Sequence, residues 1–133
     1  MIFIDTGAFF ARYVAKDQHS SEAGRLWEKI VRDDVRSYTS NFVLDELFTL
    51  LGRTCGYPFA AERARHIYSS EKLAILRPDF DDESEALTLF QKYADQKISF
   101  TDCVSSVLIR QLKLKSVFSF DRHFQIMGHQ LYE

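Results

Sequence analysis

The stretch that decides the fold comes first: Met1-Ile2-Phe3-Ile4-Asp5-Thr6-Gly7-Ala8-Phe9-Phe10, or MIFIDTGAFF. Ile2–Ile4 is an apolar run with no polar alternation, the pattern of a strand buried on both faces of a parallel sheet. A carboxylate, Asp5, follows at once, and from about Thr6 to Lys16 the spacing turns helical. A strand that ends on an acid and passes straight into a helix reads as the start of a β–α unit.

Working outward, the same alternation recurs. In DQHSSEAGRLWEKIVRDD, Ser20 or Ser21 is placed to cap a helix whose stripe is Leu26, Trp27, Ile30 and Val31. Val35–Ser40 reads as a second strand. A helix follows from Asn41 to about Thr54, ending before Gly56. Pro58 opens another helix, and Leu73–Leu76 is a third strand. Asp79 is placed to cap a helix that runs to about Ala94, and Ser99 begins one that runs to about Leu112. Ser116–Phe120 is a fourth strand, with a short fifth around His129–Tyr132. Strands alternating with helices predict an α/β fold, with a mostly parallel central sheet of four to five strands flanked by helices, in a single domain over residues 1–133.

Composition bounds the function. Hydrophobic residues make up 46% of the 133, and twelve are Phe, enough for a packed core rather than a disordered chain. The net charge of −2 excludes a broad basic field for nucleic acid, so a local basic patch or metal ions would have to attract such a partner. Two distant cysteines, Cys55 and Cys103, are too few for a disulfide framework or a zinc site, and they read as buried, reduced thiols. No apolar run approaches the ~18 residues of a membrane span, and no basic leader precedes one, so a soluble, cytoplasmic protein without membrane contact is expected.

Four acids stand apart from the solvated ones such as Asp79–Glu85. With Asn41 at 0° on a helical wheel, Glu46 falls near 140°, between Phe42 at about 100° and Leu50 at about 180°, inside an apolar arc. A carboxylate there is paired, metal-bound or at the rim of a cleft. Asp102 fits the N3 position of a capping box that begins at Ser99, which explains it without chemistry. Asp5 and Asp121 each end an apolar strand, where turn chemistry and ligand binding both favour Asp. A parallel sheet is able to bring all four to one edge. Bare, they would repel one another, and the usual remedy is a hard divalent cation, Mg²⁺ or Mn²⁺. Such a site suits phosphodiester hydrolysis by metal-activated water. His19, His66, His123 and His129 are scattered and read as mostly surface residues.

The segments FIDTGAFFA, TSNFVLDELFTLL, SFTDCVSSVL and FSFDRHF, in this order and across essentially the whole chain, resemble the PIN-domain nucleases, and in particular the small ribonuclease toxins of VapBC-type toxin–antitoxin pairs. The resemblance implies a PIN-like three-layer fold and a metal-dependent endoribonuclease of a type II toxin–antitoxin system. It implies a homodimer with a cognate antitoxin. Its acidic metal site falls on Asp5, Glu46, Asp102 and Asp121, with Asp5 and Asp102 as direct ligands. Thr6 and Ser119 are supporting hydroxyls, with simple turn chemistry as the equal alternative. Arg12 and Arg122, and more weakly Lys97, are candidates for RNA phosphates. Gly7 stands where many relatives carry a small polar residue, and Cys103 where Ala is common. Phe9 and Phe10 are candidates for the dimer surface. An aspartate-nucleophile phosphatase would need D-x-D, which fails at Gly7, and a receiver domain would need two adjacent acids. The remaining alternative is a catalytically silent PIN-like module that binds RNA or protein.

Overall fold

The computed structural model describes all residues, Met1–Glu133. Four parallel strands, β1 (Ile2–Ile4), β2 (Ser37–Ser40), β3 (Leu73–Leu76) and β4 (Ser116–Phe118), form one sheet in the order β3-β2-β1-β4. The helices are α1 (Thr6–Tyr13), α2 (Ser20–Arg32), α3 (Asn41–Cys55), α4 (Tyr57–Tyr68), α5 (Phe80–Lys92), α6 (Phe100–Gln111) and a short α7 (His123–Ile126), with one 3₁₀ turn at Ala94–Gln96. This is the α/β sheet flanked by helices that the alternating pattern predicts.

β1 lies in the interior of the sheet, and all three of its residues are buried, as its unbroken apolar run requires. β3 is an edge strand and only half-buried. Around β1 the core is aromatic. Trp27 from α2 tilts against Phe9 at 5.4 Å and Phe118 at 5.3 Å, and its indole N–H donates to the Ala8 carbonyl at 3.0 Å. Thr39, buried in β2, donates its hydroxyl to the Ile4 carbonyl at 2.9 Å, so the polar group beside the end of β1 is satisfied.

Several boundaries differ from the sequence reading for local reasons. α2 is preceded by His19 with no side-chain cap, rather than capped by Ser20 or Ser21. Val35 belongs to the turn that leaves α2, where its N–H returns to the Ile30 carbonyl and Asp34 takes φ +48°. β4 stops at Phe118, and just beyond it the Ser119 hydroxyl accepts the Asp121 N–H at 3.0 Å. The expected fifth strand is a single parallel bridge, Leu131 to Val117. Phe9 is a core residue and Phe10 is half-buried, so the first is no dimer surface. Cys55 is exposed, whereas Cys103 is buried as expected.

α3, which carries Glu46, starts where Ser40 leaves β2: the Ser40 hydroxyl accepts the Val43 N–H at 3.2 Å. Ser40→Ala is expected to lower unfolding free energy by about 1 kcal/mol in urea denaturation. An unchanged denaturation midpoint would show that α3 is set by its packing alone.

Candidate metal centre

The sheet order carries the chain outward from β1 to β2 and β3, then across to β4 on the other side of β1. The β1/β4 boundary is therefore the topological switch point, where open parallel sheets leave a crevice beyond their C-terminal ends. Ile4 pairs with Phe118, so the next residue of each strand, Asp5 and Ser119, emerge side by side. The Asp5 N–H donates to the Phe118 carbonyl at 3.0 Å. The Ser119 hydroxyl donates to Asp5 Oδ2 at 2.8 Å and accepts the Asp121 N–H at 3.0 Å. One hydroxyl thus ties two of the acids together.

Asp5 is only 5% exposed, and its second oxygen, Oδ1, is buried with no partner in the protein. Burial pushes its pKa up to about 6, with smaller contributions from the charges of Glu46 and Asp121; the Ser119 hydroxyl and the Thr6 N–H pull the other way. An unpartnered buried carboxylate oxygen is costly, and a bound cation is one group that would satisfy it.

Asp102 occupies N3 of α6, but the capping box is made in one direction only. Ser99 Oγ accepts the Asp102 N–H at 3.1 Å. α5 shows the complete version, in which Asp79 and Asp82 exchange both bonds at 2.9 Å. In α6 the cap uses the backbone of Asp102 and leaves its side chain for the cleft, where Oδ2 lies 3.3 Å from His123 Nδ1. Burial, then the charges of Asp5 and Asp121, push Asp102 up to about 9. Asp121 is half-buried, and its Oδ1 accepts the His123 N–H at 2.9 Å in an Asx turn.

Glu46 lines the same cleft but is exposed. The wheel puts it in an apolar arc, yet its neighbours on that flank are not core: Phe42 is half-buried and Leu50 is 38% exposed. This side of α3 is the cleft rim. Thr6 is buried at the cleft, and its Oγ1 has no protein partner. Cys103, beside Asp102, is a packed thiol pushed up to about 11 by burial and then by the Asp102 charge.

The basic candidates separate. Lys97 is the one Lys or Arg lining the cleft, held in a left-handed backbone turn at φ +56°. Arg122 is exposed next to Asp121 but does not line the cleft. Arg12 is not at the acids: its guanidinium lies over the Trp27 ring at 4.3 Å, in a separate cavity lined also by Phe9, Ile30 and His66. That cavity holds no acidic cluster.

Sequence reasoning missed His123. Only His66 is exposed; His19, His123 and His129 are half-buried. His123 Nδ1 lies 3.1 Å from Asp121 Oδ1 as well as 3.3 Å from Asp102 Oδ2. One ligand atom from each of Asp102, Asp121 and His123 falls within 4.8 Å of the others. The available signal was D-R-H itself, since an Asx turn folds residue i+2 back toward the Asp. The oxygen-rich donor set and the orphaned Asp5 oxygen fit a hard divalent cation.

The chain matches the PIN domain over residues 2–130 and belongs to that family. It is 33% identical over 128 residues to the Mycobacterium tuberculosis 23S rRNA-specific endonuclease VapC20, covering 96% of this chain and 95% of that protein. It is 34% identical over 125 residues to the Archaeoglobus fulgidus VapC ribonuclease, covering 92% and 78%. The crystal structure of M. tuberculosis VapC20, described as a Sarcin-Ricin loop cleaving toxin, superposes with a TM-score of 0.87 at 30% identity, over 97% of this chain and 96% of that one. VapBC2 from Rickettsia felis, solved with a promoter DNA fragment, shares the fold with a TM-score of 0.68 at 15% identity, over 100% of this chain and 98% of that one. The curated relatives are nucleases, and no helix of this chain is long and apolar enough to cross a membrane.

The electrostatics carry a sign. Asp5 and Asp102 both rise above their ordinary 3.8, to about 6 and about 9. Their stabilising contribution is complete below that ordinary value and is lost as pH rises through the folded-state values. Thermal melts in chelator are therefore expected to fall from about pH 4 to about pH 9, with added Mg²⁺ or Mn²⁺ offsetting the fall. Asp102→Asn keeps the backbone cap and is expected to raise the metal-free melting temperature at about pH 8. A lower melting temperature for that variant would restore the capping role as the explanation.

Proposed function

We propose that this protein is a Mg²⁺- or Mn²⁺-dependent endoribonuclease toxin of a type II toxin–antitoxin system, acting in the cytoplasm. Asp5 and Asp102 would be direct metal ligands, with Glu46 and Asp121 completing the acidic set. The observation that carries this reading is Asp5 Oδ1, buried and unpartnered at the switch point where Asp102, Asp121 and Glu46 also converge. A bound divalent cation supplies Lewis-acid stabilisation and a lowered pKa for water in phosphodiester hydrolysis.

The protein's own residues have separate tasks. Ser119 holds Asp5 Oδ2, fixing the carboxylate plane and leaving Oδ1 for the cation. Asp102 is presented by a helix whose cap does not compete for its side chain. Glu46, exposed at the rim, would complete the inner site or orient water. Lys97, which lines the cleft, would meet an RNA phosphate there. The names of the relatives make ribosomal RNA the first substrate to assay. A cognate antitoxin and a homodimer complete the proposal, with residues 1–133 as one PIN-like domain.

Asp5→Asn removes the charge but retains an oxygen for the Ser119 bond. It is expected to fold and to lose at least about 100-fold in RNA cleavage. Undiminished cleavage by that variant, or by wild type in excess chelator, would sink the nuclease assignment. RNA bound but uncut by metal-loaded wild type would favour the silent binding module.

A further inference from the structure

The acids alone describe an all-oxygen centre, but the structure adds a nitrogen. His123 follows the Asx turn of Asp121, and the next residue, Phe124, is fully buried, so α7 is anchored immediately beside the imidazole. The ring is therefore held rather than free at the surface. Its Nδ1 stands 3.3 Å from Asp102 Oδ2 and 3.1 Å from Asp121 Oδ1. Two ligands on adjacent vertices of an octahedron with ~2.1 Å bonds stand about 3 Å apart. The imidazole nitrogen thus stands from each carboxylate oxygen at the spacing of neighbouring ligands, and one ligand atom from each of the three residues lies within 4.8 Å of the others. A fourth donor points to the same ligand independently: Asp5 Oδ1, in a residue 5% exposed, has no protein partner and lines the same cleft.

We propose that His123 Nδ1 is a direct ligand at this centre beside Asp102 and Asp121, and that it biases the chain toward a first-row divalent ion such as Mn²⁺ over Mg²⁺. The inference rests on the metal-dependent reading above and deepens it. Mg²⁺ prefers an all-oxygen shell and gives up its waters reluctantly. An imidazole nitrogen, a softer donor, favours first-row transition ions. With Nδ1 on the ion, the backbone N–H of His123 still holds Asp121, so ligand and turn are compatible in one residue.

The test uses the full-length protein loaded with Mn²⁺. Electron spin-echo envelope modulation of the bound ion is expected to show coupling to an imidazole nitrogen, which shifts on histidine-selective ¹⁵N labelling and disappears in His123→Gln. His19 stacks on Phe120 at the cleft wall, so His19→Gln is the control and is expected to retain the coupling. Isothermal titration is expected to show Mn²⁺ favoured over Mg²⁺ in wild type, with the preference reduced at least about 10-fold in His123→Gln. Bound Mn²⁺ without nitrogen coupling, or coupling that survives His123→Gln, overturns the role of His123 and leaves the metal-dependent nuclease standing. Failure of wild type to bind either ion overturns both. Circular dichroism of His123→Gln checks folding, and if that variant does not fold His123→Asn takes its place, with loss of the coupling again expected.

Discussion

The hydrogen bond from Ser119 Oγ to Asp5 Oδ2, 2.8 Å long and 114 residues apart in sequence, is the contact on which the site depends. It exists because β1 and β4 pair in parallel with Ile4 opposite Phe118. A slip of one residue in that register would turn every β4 side chain to the other face. Ser119 would then leave Asp5, and Asp121, whose N–H the same hydroxyl accepts, would lose its position. The register is held by burial: Phe3, Val117 and Phe118 are fully enclosed, and Trp27 packs on Phe118 from α2. The hydrophobic core and the placement of the acids are thus one problem with one solution.

The same arrangement sets stability against chemistry. Burial is the main force that drives Asp5 and Asp102 toward the neutral form; the charge of Asp5 raises Asp102 further, and the charges of Glu46 and Asp121 raise Asp5. The fold offers only hydrogen bonds and one histidine in compensation. This is the signature of a functional site, where local consistency is given up for a property the core does not need. α5 supplies the internal contrast. Asp79 and Asp82 carry the same capping pattern at a solvent-facing helix start, and there both carboxylates turn to the backbone.

The architecture was largely legible in the sequence, and much of the candidate site with it. The unbroken run Ile2–Ile4 announced an interior parallel strand, and alternating helical periods announced its neighbours. Asp5 and Asp121 were legible as acids near strand ends. What the sequence could not display is environment. The wheel put Glu46 in an apolar arc because periodicity counts apolar residues without knowing which of them the core reaches; Phe42 and Leu50 are left at the cleft rim. Arg12 lay close to Asp5 in sequence, but about two helical turns separate them, and its guanidinium lies over Trp27. Phe9 read as exposed because nothing local revealed that α2 covers it. The Asx turn at Asp121 that sets His123 is local, but its reach to Asp102, 21 residues away, is a tertiary contact that the spacing of the histidines does not display.

Charge adds a further constraint. The cleft is lined by four acids and only one lysine, and the whole chain carries −2. An anionic polymer approaching the bare site would meet repulsion rather than a basic groove. A divalent cation at the acids, as proposed above, would offset much of that repulsion and so bear on substrate approach as well as on the chemical step. The buried acids are then no flaw in the electrostatics of an RNA-cutting protein. On the proposed reading they would make its attraction for RNA conditional on the ion, so that binding and chemistry would share a single requirement.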